Sequence, residues 1–388
     1  MANASSSASG AQALFVDRSG ESPKPLPLWP ALVIPREAIE AEIARLGALP
    51  RPADGRRCAW IVHPAADPAS PGLAPGIRVS LEVLLSGEST APVRHSSTRL
   101  GFCIAGDGEA IVGSRRIRFE RHDVWNIPAM VPWAQRNDGR QVQAVLGYSN
   151  APLLEKMNVH LVEQGAEVEA ALEVAQPRAG APATAVPAEG APPTPASLAA
   201  GLPPGAFPLD EAGAYLMPYE TLIDPVAVES RPLHFPWRSV KLHLDELQAL
   251  GDRYRGRRLY LLYNPATGRT NGTTASFFAT MCVRPPRIVD RPHRHAAAAI
   301  NYYFAGSGRS TVEGRIYEWK AGDLMLSAPG WAVHNHASHG ETVYELTVQD
   351  SPLHIAMESL LWQEDMKGPI AVLGAGRGFT TNREPTGA

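Results

Sequence analysis

The sequence predicts an all-β chain folded as two small antiparallel barrels with a few flanking helices. Three observations carry this. Short runs of β-forming residues broken by glycine turns occur in both halves of the 388 residues. The two runs form a weak internal repeat. An alanine- and proline-rich stretch with no hydrophobic period separates them. At 388 residues the chain exceeds one small barrel, and with 44% hydrophobic residues it can bury a core.

Residues 1–34 are small, polar and proline-bearing, and read as a loose arm. Residues 35–163 read as the first barrel, opening on a short amphipathic helix with Ile39, Ile43 and Leu46 on one face behind Pro35. Its strands are expected at residues 78–85, 99–104, 109–112, 116–119, 123–127 and 141–146, and turns such as Gly106-Asp-Gly108 argue for a barrel and against βαβ units. Residues 164–208 shift to Ala, Pro and Gly; such a segment cannot offset its ordering entropy by burial, so it reads as a mobile linker. Residues 209–370 read as the second barrel, with a helix over Val240–Leu250 and strands from near Thr274 onward, at residues 300–304, 310–312, 315–319 and 322–327. Residues 371–388 form a tail.

The repeat exposes a difference between the halves. His95 precedes Gly106 by eleven residues, as His295 precedes Gly306, and Asn150-Ala-Pro-Leu153 echoes Asp350-Ser-Pro-Leu353. In the second half, His293 and His295 stand at i and i+2 of an extended segment and therefore share a face. His334 follows His295 by thirty-nine residues and can close three imidazoles around one metal. In the first half Val93 replaces the first histidine and Trp133 the third, leaving His95 alone. One imidazole does not hold a catalytic metal, so packing and assembly are the roles expected of that barrel. The competing reading makes His293 and His295 exposed loop residues and His334 a satisfied core histidine.

From about Phe235 to Glu364 the chain resembles the cupins, and within them the bicupin ring-cleaving dioxygenases typified by gentisate 1,2-dioxygenase, with salicylate and hydroxynaphthoate relatives. The resemblance rests on Phe235-Pro-Trp-Arg238, Asn264-Pro-Ala-Thr-Gly268, Arg291-Pro-His-Arg-His295, Gly306-Ser-Gly-Arg309, Gly322-Asp-Leu324, Pro329-Gly-Trp-Ala-Val-His-Asn-His336 and the exit Asp350-Ser-Pro-Leu353, leading into a helix that ends Leu361-Trp-Gln-Glu364. It implies a bicupin of two double-stranded β-helix (jelly-roll) barrels, Fe(II) as cofactor, an aromatic carboxylic acid and O2 as substrates, and a homo-oligomer, a tetramer by family resemblance. The implied reaction inserts O2 between the carboxyl-bearing and hydroxyl-bearing ring carbons. The family usually places its catalytic iron in the N-terminal cupin, whereas here three histidines occur in the C-terminal one. Many cupins also carry a glutamate ligand on the strand after the His pair; here that place falls in Ala296–Ala299.

Three neutral imidazoles would leave open positions on an octahedral metal, and imidazole suits Zn, Cu and Ni as well as Fe. Strand parity supplies further candidates. His336 shares a face with His334 and is read as a catalytic acid–base group or a rim histidine. Arg291 has the parity of His293 and could clamp a carboxylate by a forked pair of hydrogen bonds. Asn301 and Tyr303 share one face of the next strand and are read as facing the cavity; Trp331 either walls the pocket or packs. Asp350, before a helix, reads as an N-cap.

A net charge of −3 offers no basic footprint for nucleic acid, and the cluster Arg253–Arg258 reads as a solvated turn. No stretch of eighteen apolar residues predicts a membrane span, and the N-terminus lacks a basic-then-apolar leader. Cys58, Cys103 and Cys282 form neither a disulfide framework nor a CxxC site, and all three are expected in strands or core. A cytoplasmic location is the expectation. Against the dioxygenase stand a metal-dependent cupin isomerase or hydrolase, and a ligand-sensing bicupin without catalysis.

Overall fold

In the computed structural model the described residues are 17–22, 24, 27–174, 207–208, 215–217, 230–251 and 258–372. The expected mobility of the linker falls mostly on residues 175–206, outside the described set, as do residues 253–257 of the arginine cluster and most of the tail.

Each half folds as two facing antiparallel sheets. In the first, six strands run in the order His234–Phe235, Val124–Ile127, Arg99–Ala105, Gln143–Ser149, Arg78–Leu84 and Arg57–Ile61. Facing them are Val162–Gln164, Val93–His95, Trp133–Arg136, Gly108–Val112 and Arg115–Phe119. The second half repeats the plan with Leu32–Ile34, Leu324–Ala328, Ala299–Ala305, Val343–Gln349, Phe278–Arg284 and Leu259–Leu261. Its opposing face splits into two triplets, one carrying His334–Ser338 and the other Arg294–His295 with Leu361–Gln363, and an isolated bridge His293↔His334 joins them.

Alternation along the strands separates two burial environments. One face of each six-stranded sheet, including Val79, Leu81 and Leu146 in the first and Ile300, Leu326 and Val348 in the second, packs into a shared core between the barrels. Burying side chains of this size contributes roughly 1.5–3 kcal/mol each, which makes the inter-barrel contact a core and not a loose junction. The opposite faces point into the barrels. Phe119 and Trp125 stack at 4.2 Å within the first, and Tyr303 and Trp319 at 3.7 Å within the second.

Several expectations are modified. The arm read as loose ends in a strand: Leu32–Ile34 pairs with Leu324–Leu326 of the second barrel, giving an apolar Leu-Val-Ile run an edge to extend. His234–Phe235 pairs with Val124–Trp125 of the first barrel, so each half lends the other a strand. The start of the linker, Ala166–Val174, is a helix, because Ala and Glu dominate it and Val168 finds a buried seat. The exit helix stops at Ala356, and Leu361–Gln363 is a strand paired with Arg294–His295. Asp350 holds the N-cap position, but its Oδ1 accepts from Ala298 N at 2.8 Å and makes no cap hydrogen bond. The helix Arg36–Ala48 and the helix Trp237–Ala249 lie where periodicity put them. No helix among the described residues is long and apolar enough to cross a membrane.

Candidate metal centre

His293, His295 and His334 are each buried to 2–3% exposure and offer ligand atoms within 4.8 Å of one another. Parity puts the first two on one face, and the antiparallel bridge from His293 brings His334 alongside. Each Nδ1 pairs with a backbone carbonyl two residues away: His293 with Arg291 at 3.1 Å, His295 with Ala297 at 2.7 Å, and His334 with Ala332 at 2.9 Å. A carbonyl only accepts, so each Nδ1 carries the proton and each Nε2 keeps its lone pair for a metal. The tautomers, burial and clustering fit a bound metal ion.

Trp362 covers the pair, its ring centroid 5.3 Å from His293 and 5.1 Å from His295 in stacked orientation. Sequence reasoning missed it as a site residue; its place in the run Leu361–Gln363 shows only once that run pairs with His295. Ser310, also missed, meets His336 Nδ1 at 2.7 Å and accepts from Trp319 Nε1 at 2.9 Å. His336 is thereby fixed with its ring 5.7 Å from that of His334.

The other predicted residues separate into two groups. Asn301 and Tyr303 face the barrel interior. Asn301 donates to Thr347 Oγ1 at 2.8 Å and accepts from Ser327 Oγ, while Tyr303 is fully buried against Trp319 and burial pushes its phenol well above the ordinary range. Arg291 and Trp331 are not drawn in. Arg291 is exposed and reaches the cluster through its carbonyl; Trp331 lies under the Arg294 guanidinium at 4.6 Å, on the side of the strand opposite His293 and His295. Deeper in the barrel Arg284 is buried between Asp290 at 2.9 Å and Glu345 at 3.1 Å, and these two carboxylates hold its guanidinium protonated above the usual range despite burial.

The first barrel keeps part of this geometry and closes it. His95 Nδ1 pairs with Ser97 O at 2.8 Å, as His295 does with Ala297. Its Nε2, however, accepts from Trp133 Nε1 at 3.1 Å, and Trp133 is paired to Val93 where the second barrel bridges His334 to His293. The indole occupies the third ligand's place and uses the lone pair that a metal would need. Burial, with Arg99 and Arg56 nearby, pushes the His95 imidazole down to about 4.

Comparison with known proteins agrees with this architecture. The AraC-like ligand binding domain family matches residues 283–377, the region holding all three histidines. The 5-nitrosalicylic acid 1,2-dioxygenase of Bradyrhizobium sp is 28% identical over 142 residues, 35% of this chain and 68% of the relative. The 5-aminosalicylate 1,2-dioxygenase of Comamonas sp is 21% identical over 71% of this chain and 66% of the relative. Among solved structures, salicylate 1,2-dioxygenase from Pseudaminobacter salicylatoxidans superposes with a TM-score of 0.67 over 89% of this chain and 90% of that one, at 16% identity. A variant of that enzyme has been solved with gentisate and superposes equally well, at 0.67.

Proposed function

We propose that this chain, which belongs to the bicupin family of gentisate- and salicylate-type dioxygenases, is an Fe(II)-dependent ring-cleaving dioxygenase of hydroxylated aromatic carboxylic acids, with its metal in the second barrel. The observation that carries this is the buried trio His293, His295 and His334 with all three Nδ1 atoms committed to backbone carbonyls. These residues would hold the metal. A bound divalent iron would supply the electron exchange between ring and dioxygen that spin-allowed ring fission requires. The overall change consumes one O2, breaks the bond between the carboxyl-bearing and hydroxyl-bearing carbons, and leaves both oxygen atoms in the ring-opened product.

The chain's own groups act around that chemistry. His336, its Nδ1 held by Ser310, takes the substrate's phenolic proton on the other ring nitrogen. Trp362 shields the histidines and helps to exclude water from the reacting ring. Arg291 lies exposed at the entry of the His strand, outside the cluster, where its forked donors would meet a carboxylate only as the acid enters. Asn301 and Tyr303 keep the interior wall in place. Assembly as a homo-oligomer belongs to the same reading.

A second reading has one specific observation behind it: the family matching residues 283–377 is described by ligand binding, which favours a sensing bicupin. Oxygen uptake separates the two. Protein reconstituted with Fe(II) and offered salicylate, gentisate, 5-aminosalicylate or 1-hydroxy-2-naphthoate should consume oxygen and form a ring-opened chromophore with at least one of them. Single alanine variants of His293, His295 or His334 should lose most of the iron. His336→Ala should keep it while turnover falls by roughly 10²–10⁴-fold. Tight aromatic-acid binding without oxygen uptake at full iron occupancy would favour the sensor, and a fully active His334→Ala would sink the site.

A further inference from the structure

We infer that the cavity between the two barrels, under the helix Arg36–Ala48, binds a small aliphatic carboxylate through Arg36, Arg121 and the hydroxyl of Tyr302. The helix presents Arg36, Ile39, Glu40 and Ile43 to it, the spacing of a single helix face. The first barrel adds Ile104 and Arg121, and the second adds Tyr302, Phe304 and Gly322. The volume is about 190 Å³. A cavity of roughly 150 Å³ already admits a benzene-sized molecule, so this one holds a ligand of that class with a polar head.

The polar atoms on its wall are donors in want of an acceptor. Tyr302 is 5% exposed, yet its hydroxyl has no hydrogen-bond partner among the described residues. Burial pushes this phenol up to about 12, against the opposing pull of Arg121 and Arg36, so the hydroxyl keeps its proton and can donate. Arg121 spends its Nε on the Ile104 carbonyl at 3.0 Å, and among the described residues no carboxylate pairs with its guanidinium. Arg36 lies across Gly322, where an added Cβ would come 2.5 Å from its Cδ, and so it is laid along the wall. Its partner Glu40, at 2.6 Å, is the one carboxylate lining the cavity, and that pair is half exposed and weak. Two cations therefore face one anion, and a guanidinium has no acceptor of its own. A ligand carboxylate supplies what the wall lacks.

The apolar part selects the body of the ligand. Phe304 already stacks on His122 at 4.4 Å and meets Trp237 edge-on at 4.9 Å. Branched aliphatic side chains, Ile39, Ile43 and Ile104, are then the wall left to the ligand, which suits an acyl chain better than a flat ring. The cavity shares no residue with the three histidines, so its occupancy does not depend on a metal in the second barrel.

Hexanoate is the probe, with acetate and hexanol testing chain and charge separately. Calorimetry on the full-length, iron-loaded protein should find a hexanoate site that persists in His334→Ala. It should weaken at least about tenfold in Arg121→Gln, the loss of one charge-assisted pair, and in Tyr302→Phe, which keeps the ring and removes only the hydroxyl. Arg121→Gln should keep its iron and its oxygen uptake. Acetate and hexanol should each bind at least about tenfold more weakly than hexanoate. Crystals of the unaltered protein soaked in 6-bromohexanoate should place the bromine among the three isoleucines, a readout that needs no variant. Binding abolished by His334→Ala and untouched by Arg121→Gln, bromine only at the three histidines, benzoate bound more tightly than hexanoate, or no binding at millimolar concentration would each overturn the assignment.

Discussion

Acidification should destabilise the first barrel through His95, by an amount the geometry sets. An imidazole that titrates near 6.5 in the unfolded chain is pushed to about 4 in the fold, first by burial and then by Arg99. Between those values the unfolded chain binds one proton more than the native protein, so stability rises with pH across the window and is lost as pH falls through it. The contribution is fully present above about 6.5. From pH 7 to 5 the loss is about 2 kcal/mol, reaching about 3 kcal/mol near pH 4. The structural cause is specific: a proton on Nε2 would face the Trp133 N–H and add a third cation beside Arg56 and Arg99. Carbon–proton correlation spectra of the histidine rings, with His95 assigned through His95→Gln, should show its imidazole unchanged until pH drops well below 5. Denaturant unfolding at pH 7 and 5 should find the unaltered protein losing about 2 kcal/mol more than His95→Gln. Titration of His95 near 6.5, or equal losses in both proteins, would refute the reasoning.

Three further outcomes are expected. Gly147→Ala should destabilise the first barrel by about 1–3 kcal/mol, since an added Cβ would lie 1.8 Å from Arg99 Nη2 and push aside the end of a guanidinium paired with Glu82; a melting temperature within a degree of the parent would contradict this. Arg284→Met should cost about 3–5 kcal/mol by leaving Asp290 and Glu345 unpaired, and adding Glu345→Gln should recover part of it in a double-mutant cycle. Deleting residues 1–34 should speed amide exchange along Leu324–Leu326, whose neighbour Leu32–Ile34 is removed; unchanged exchange there would show the strand to be dispensable.

The sequence made the strands and the pair His293 and His295 legible because both depend on local period. Alternation over Arg99–Ala105 and Ala299–Ala305, and the i, i+2 spacing of His293 and His295, need no knowledge of long-range pairing. The replacement of His334 by Trp133 was readable from the repeat. Its consequence was not, because the indole's bond to His95 depends on two strands thirty-eight positions apart. Trp362 escaped for the same reason: its run resembles the end of a helix until it pairs with Arg294–His295. Parity put Asn301 and Tyr303 on one face, without saying which way that face turns, and it could not say that Arg291 would stay exposed, since a strand-entry residue is governed by the loop before it. The borrowed strands Leu32–Ile34 and His234–Phe235 are short and leave almost no period to detect.

Those borrowed strands change what counts as half of this molecule. The segment that finishes the second barrel's sheet is translated ahead of the whole first barrel, and one that finishes the first barrel's sheet comes after the intervening stretch. A ribosome that has released only the first barrel has released it one strand short at its edge. A fragment cut between the halves would carry a strand belonging to the other piece and expose an edge where its own is missing. Splitting the gene at its apparent midpoint would therefore yield two sticky proteins, and a shortened chain meant to isolate the histidine cluster would have to include Leu32–Ile34, fused in a new order, to close its sheet.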